Sequence, residues 1–280
     1  MSIDRIQPYF GLSRPPFGAD LAPGTLHRFA AHSEATARIA YLVEAGALGL
    51  ITGEVGAGKT TAVRAAVAAL DPSRHTTIYL ANPAIGSRGL YTEIVSHLGG
   101  EPGFHKATLI PQAQDLLARE REERKKRVLL IVDEAHLLSA EQLEELRLLT
   151  NSEMDSVRPF AGILLGQPQL RRRLRLGSFA ALDQRIALRY ELGGMDAPES
   201  ADYLAHHLKL AGREDRLFSD DAVTLLHERS RGIPRRSTTS RSRRSSPPSR
   251  PRSRSSKNPR RRRRWRRCSG SSRPNHIRRA

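Results

Sequence analysis

The chain has 280 residues, 38% of them hydrophobic and 27% charged, with a formal net charge of +18. That charge is uneven: residues 1–234 carry 28 basic and 29 acidic side chains, whereas residues 235–280 carry 19 basic and no acidic ones. A near-neutral body, long enough for one or two domains and a buried core, therefore precedes a basic segment, which excludes a uniformly basic domain. The one cysteine, Cys268, excludes a disulfide scaffold and a cysteine-rich zinc site. No apolar run approaches the ~20 residues of a membrane span. The first residues lack a signal pattern, so the expected compartment is the cytoplasm.

Residues 1–30 are rich in Pro, Gly and aromatics and read as an irregular arm. Ser33 to Gly46 reads as a helix with Ser33 as N-cap and Ile39, Leu42 and Val43 as its apolar face. Leu48 to Thr52 is a short apolar strand, followed by a glycine-rich turn and an Ala/Val-rich helix over Thr60–Leu70. A second strand is expected over Thr76–Leu80, and helices over Leu90–Leu98 and Pro111–Lys126. Val128–Val132 and Ala161–Leu165 are continuous apolar runs of the kind that suit parallel strands covered on both faces. Helices are expected over Ala140–Leu149, Ala197–Ala211 and Asp220–Ser230. Strands alternating with helices, then helices alone, indicate an α/β fold with a parallel sheet over residues 31–195 and a small helical lid over 196–236.

Gly53-Glu54-Val55-Gly56-Ala57-Gly58-Lys59-Thr60 fits the P-loop pattern, with an apolar strand before it and a helix after it. Its glycines let backbone N–H groups curl round a phosphate, and the helix start adds a positive dipole end. Lys59 is expected to reach the β- and γ-phosphates, and Thr60 to ligate Mg²⁺. Asp133 and Glu134 follow the Val128–Val132 strand, at the end where open α/β sheets bind ligands. Asp133 is expected to hold Mg²⁺ and Glu134 to deprotonate the attacking water, which suits hydrolysis of ATP.

The spacing of these motifs resembles the AAA+ ATPases over residues 1–236. The nearest branch holds the ExeA-type secretion ATPases and the TniB-like transposition helpers, related to origin-recognition ATPases. Tyr9-Phe10-Gly11-Leu12 with Pro16-Phe17, Gly53–Thr61, Val132–His136, Gly166-Gln167-Pro168, Gln184-Arg185-Ile186 and Gly232–Arg235 carry the resemblance. It implies that residues 53–61 and Arg235 bind nucleotide, Arg235 as the second sensor with Arg236 as rival. It implies that Gln167 is the first sensor, near the γ-phosphate. It implies that Arg185, with Arg189 as rival, is an arginine finger for a neighbouring subunit's site, and hence a homo-oligomer. Asn82 is either a switch pairing with Glu134 or an Asn-Pro turn. Phe17 lies near the adenine or anchors the core, and His136 reads as structural. The favoured role is a DNA-transposition helper acting on a transposase and DNA. The alternatives are a secretion-pathway assembly ATPase and an inactive nucleotide-binding remnant with a basic nucleic-acid-binding tail. Arg171, Arg172, Arg173 and Arg175 form the body's one basic cluster.

Residues 237–280 are Ser, Arg and Pro with almost no aliphatics, a composition expected to be disordered. Two readings compete. One is a basic arm for nucleic-acid phosphates. The other is a frameshift after codon 236: a one-base shift can turn Ser237–Ser245 into an apolar helix, which would leave the lid incomplete and Arg235 poorly held.

Overall fold

A computed structural model describes residues 7–17, 25–151 and 158–238, with the side chains of Arg236 and Thr238 left aside. The expectations for residues 239–280 lie outside the described residues.

A five-stranded parallel sheet organises the body. Its strands are β1 (Leu48–Gly53), β2 (His75–Leu80), β3 (Arg127–Val132), β4 (Ala161–Gly166) and β5 (Ile186–Leu192), in the order β2-β3-β4-β1-β5. The order places β4 between the strand that leads into the P-loop and the strand that ends at Asp133. Val132 pairs with Leu164, and Thr52 with Gly166, so the carboxyl ends of β3, β4 and β1 come out side by side. All six residues of β1 and of β4 are buried, as expected of central strands covered by helices on both faces.

Those helices are α1 (Ala30–Ala45), α2 (Lys59–Ala68), α3 (Gly86–His97), α4 (Lys106–Glu122), α5 (Ala140–Leu149), α6 (Pro168–Leu174) and α7 (Ala180–Arg185). One apolar layer joins Ile39, Leu42, Val43 and Val63 to Ile51, Leu129, Ile131 and Ile163. The opposite layer joins α3, α4 and α5 to Leu50, Ile78, Leu130 and Leu164. The lid is α8 (Ala197–Leu210), α9 (Asp220–Ser230) and the short α10 (Pro234–Thr238).

Several elements depart from the sequence reading. The first helix begins at Ala30, one turn before Ser33, with Phe29 as its cap; Phe29 is buried and stacks on His32, and that apolar anchor sets the start. The fourth helix begins at Lys106 and runs through Pro111, because Leu109, Ala113 and Leu117 form a buried stripe that outweighs one lost backbone hydrogen bond. The third helix begins at Gly86, a turn before the expected Leu90, and β5 and the helices α6, α7 and α10 went unpredicted. β5 is an edge strand whose Arg189 and Glu191 break up the apolar run that marks the central strands.

Candidate functional site

Gly53 ends β1, and the chain turns through Gly56 (φ 84°) and Gly58 (φ 95°) before α2 begins at Lys59. Both glycines hold a left-handed backbone that favours residues without Cβ. Space forbids a side chain as well. A Cβ on Gly56 would stand 2.4 Å from Cβ of Arg235, and one on Gly58 would stand 2.3 Å from Nε2 of His32. The loop is thus a bare backbone cradle against the helix start, whose leading N–H groups have no carbonyl one turn back.

Within this loop Ala57 is buried and its N–H donates to Glu54 O (3.2 Å), while Val55 is half exposed. Lys59 Nζ donates to the carbonyl oxygens of Gly53 (2.9 Å) and Glu54 (3.0 Å), which holds the ammonium across the loop. Burial lowers the Lys59 pKa, and the neighbouring carboxylates of Glu134, Asp133 and Glu54 pull it back up. Thr60 Oγ1 donates to Asp133 Oδ2 at 2.9 Å. Tyr79, near the end of β2, donates its hydroxyl to the same oxygen at 2.8 Å, and Glu134 N donates to Asp133 Oδ1 at 2.8 Å. Burial, then the bond to Asp133, raises the Tyr79 pKa, so the phenol stays a donor.

Glu134 adopts a left-handed backbone (φ 50°), uncommon for a residue with a side chain. Its carboxylate is half exposed, with Oε2 3.2 Å from Nδ1 of the buried His136. Gln167 follows β4 directly, at the cap position of α6, and its amide lies 3.1 Å from His136 Nε2. Asn82 accepts from Ala84 N at 3.0 Å, whereas the Glu134 carboxylate lies against His136. Of the two readings of Asn82, this geometry is that of the Asn-Pro turn.

A cavity of about 590 Å³ opens on the P-loop, within the range of small-molecule sites. Val55, Gly56, Gly58, Lys59, Thr60 and Thr61 line it, together with Glu134, Gln167 and Arg235. Arg235 comes from the lid, and its N–H donates to Gly56 O at 3.3 Å. The opposite wall is aromatic: Phe17 of the arm stacks on Tyr203 (6.5 Å) and lies 5.3 Å from His207, both of α8. The residues fit a magnesium nucleotide: a bare backbone cradle with a lysine for the phosphates, hard oxygen donors from Thr60 and Asp133 for the cation, and an apolar wall for a base.

Arg185 lies elsewhere. It precedes β5, where Ile186 pairs with Leu48 at the start of β1. At about 3.3 Å per residue, that is roughly a 17 Å strand length from the P-loop. Arg189 is held within the chain by Asp183 and by Ile186 O. In the basic cluster, Arg171 bonds Glu191 and Arg173 bonds Leu138 O, while Arg172 and Arg175 are exposed.

Sequence reasoning missed Tyr79 and His32. The burial of Ile78 and Leu80 on either side of Tyr79 shows the strand alternation that would have flagged it. His32 carries no sequence signal.

Residues 43–174 match a family model described as an AAA domain. The chain is 36% identical over 230 residues to general secretion pathway protein A of Aeromonas hydrophila, covering 81% of this chain and 42% of that protein. Among solved structures, it resembles Cdc6p of Pyrobaculum aerophilum (TM-score 0.59, 14% identity, 80% of this chain and 62% of that one). It also resembles the ORC2 protein of Aeropyrum pernix, solved as ADPNP–ADP complexes (TM-score 0.60, 18% identity, 81% and 64%). These two likenesses show the fold. The chain spans less than two thirds of the length of each of these three proteins.

Proposed function

We propose that the chain is an AAA+ ATPase of the ExeA-like kind, as the AAA-domain match over residues 43–174 and the 36% identity to the secretion protein support, and that it binds ATP with Mg²⁺ and hydrolyses it as a homo-oligomer. The observation that carries the reading is one cavity lined by the P-loop, Glu134, Gln167 and Arg235. Residues 53–61 cradle the phosphates through backbone N–H groups, and Lys59 and Arg235 offset their charge. Thr60 and Asp133 would hold Mg²⁺, which would supply neutralisation of the phosphate charge. Glu134 takes a proton from water as the water oxygen bonds the γ-phosphorus. The bond from that phosphorus to the bridging oxygen breaks, its electron pair stays on ADP, and Gln167 donates to the γ-phosphate. Arg185, a strand length away, serves the site of an adjacent subunit.

The secretion protein matched above supports an assembly role on a secretion apparatus. A second reading, a transposition helper acting on a transposase and DNA, is favoured by exposed Arg172 and Arg175 and by the basic residues 235–280. The reading of residues 237–280 as out of frame is supported by α9, which buries only Ser230 among its residues, as a lid helix lacking a neighbour would.

Phosphate release from Mg-ATP tests the core reading. Wild type turns over, and Lys59→Ala and Glu134→Gln each lose at least ~100-fold. Arg185→Ala loses turnover while keeping nucleotide affinity, and mixing it with Glu134→Gln restores part of the rate. Binding without turnover in wild type would select the inactive-remnant reading. Stimulation by DNA would select the transposition role over the secretion role. A chain with its lid frame restored turns over faster if residues 237–280 are out of frame.

A further inference from the structure

Glu134 is half exposed and a glutamate has three side-chain torsions to fix, so something must aim its carboxylate. The group against it is His136, in the short 3-10 turn Ala135–Leu137, with a side chain only 7% exposed. Nδ1 of that ring lies 3.2 Å from Glu134 Oε2, a close approach that is not aligned as a hydrogen bond and leaves this buried nitrogen without a hydrogen-bond partner. On the other side of the ring the amide nitrogen of Gln167 stands 3.1 Å from Nε2; with that N–H donating, Nε2 accepts and the ring's proton sits on Nδ1, facing Glu134. The Gln167 amide therefore sets which form of the ring is turned towards Glu134. β3 and β4 are locked side by side by Val132↔Leu164, so the three residues are held by a rigid frame.

We infer that His136 is a positioning residue that couples Gln167 to Glu134 through its two ring nitrogens. When Gln167 turns its amide N–H to a phosphate oxygen, Nε2 loses its donor, the ring turns, and its Nδ1 side steers the Glu134 carboxylate towards the water. The coupling rests on the reading of Glu134 as base and Gln167 as γ-phosphate contact.

Two substitutions separate the ring's two ends. His136→Asn keeps an amide nitrogen near the Nδ1 position and loses the Gln167 contact. His136→Gln reaches the Nε2 position and loses the Glu134 contact. His136→Ala is expected to lower kcat for ATP by ~10- to 100-fold with KM changed less than ~2-fold. The Asn and Gln variants each recover only part, and His136→Ala combined with Gln167→Ala is no worse than either alone. If His136→Ala unfolds, the Asn variant, which is closer in shape, carries the kinetic comparison. Independent, multiplicative losses would overturn the coupling. Glu134→Gln is run beside them: full turnover there sinks the role of Glu134 itself, whereas a dead Glu134→Gln with additive His136 and Gln167 losses sinks the coupling alone. A readout without turnover is ¹⁵N NMR of the imidazole in the nucleotide-free protein, assigned by the His136 variants. A proton on Nδ1 and an Nε2 resonance that moves in Gln167→Ala is the expected result. An Nε2 resonance indifferent to Gln167 overturns the coupling whatever the turnover.

Discussion

Leu129 and Ile131 in the middle of β3 are fully buried, whereas α9 of the lid buries only Ser230 and leaves Leu225 53% exposed. The sheet body is held by apolar layers on both faces. The lid is held to the arm by one small apolar cluster, Leu12 with Leu208 and Ala211, and by hydrogen bonds from His207 to Pro16 O, Ser13 to Ala211 O and Arg213 to Phe10 O, and to the P-loop by Arg235 N to Gly56 O. Hydrogen bonds of this kind contribute about 1 kcal/mol each and are lost one at a time, while a packed core resists as a unit. The difference assigns the two regions different work. The body keeps the phosphate cradle and the carboxylates in fixed register, and the lid is the low-stability part that a bound nucleotide can reposition.

Truncating one leucine in each region puts the comparison at its sharpest. Leu129→Ala removes a fully buried side chain between covered layers and is expected to cost about 3 kcal/mol of unfolding free energy. Leu225→Ala removes a half-exposed one and is expected to cost under about 0.5 kcal/mol. Urea unfolding of both variants checks this. A cost above about 1.5 kcal/mol at Leu225 would mean that α9 has a packing partner among residues not described, and the reading of an incomplete lid would fall.

The seam between the regions should respond to acid. His32 lies under Gly58 and stacks on Phe29 at 4.1 Å, and burial, the largest influence, lowers its pKa to about 4. Burial also lowers the pKa values of His27, which faces Tyr203 and His206 of α8, and of His207 on that same helix, which bonds Pro16 O. A folded-state pKa below the unfolded value of about 6.5 means that the unfolded chain binds the extra protons. Stability is therefore complete above pH 6.5 and falls as pH drops from 6.5 towards 4. For His32 alone the loss between pH 6.5 and pH 5 is about 2 kcal/mol. Thermal unfolding across that range shows the slope, and His32→Phe should flatten it. An unchanged slope in that variant would shift the effect to other groups.

Most of the body was legible because its signals are local. A P-loop is eight consecutive residues, and β3 is a continuous apolar run ending in two acids. Arg185 was legible only as part of a resemblance, since nothing in its own neighbourhood says that it sits at the far end of the sheet from the loop. β5 stayed hidden because half exposure at the sheet edge let Arg189 and Glu191 into the strand, and hydrophobic pattern alone does not distinguish such a strand from a loop. Tyr79 and His32 stayed hidden for a different reason. Tyr79 meets Asp133 across 54 positions and His32 meets Gly58 across the fold, and contacts of that kind exist only once the sheet order is known.

Arg235 tests whether the lid touches the site at all. Its backbone N–H reaches Gly56 O, and its Cβ occupies the place a side chain on Gly56 would need, so α10 and the P-loop fit against one another at this point. Arg235 lines the same cavity as Lys59. One charged hydrogen bond to a phosphate, partly exposed, is expected to contribute about 1.4 kcal/mol, which is a tenfold change in affinity. Arg235→Ala should therefore weaken binding of a fluorescent ATP analogue about tenfold. It should also remove most of the protection that ATP gives residues 196–236 against limited proteolysis. Loss of affinity with protection retained would leave Arg235 as a phosphate contact and give the lid's closure to the aromatic wall of Phe17, Tyr203 and His207. Unchanged affinity would mean that the lid meets the P-loop only through its backbone, and the body would then bind nucleotide without help from the lid.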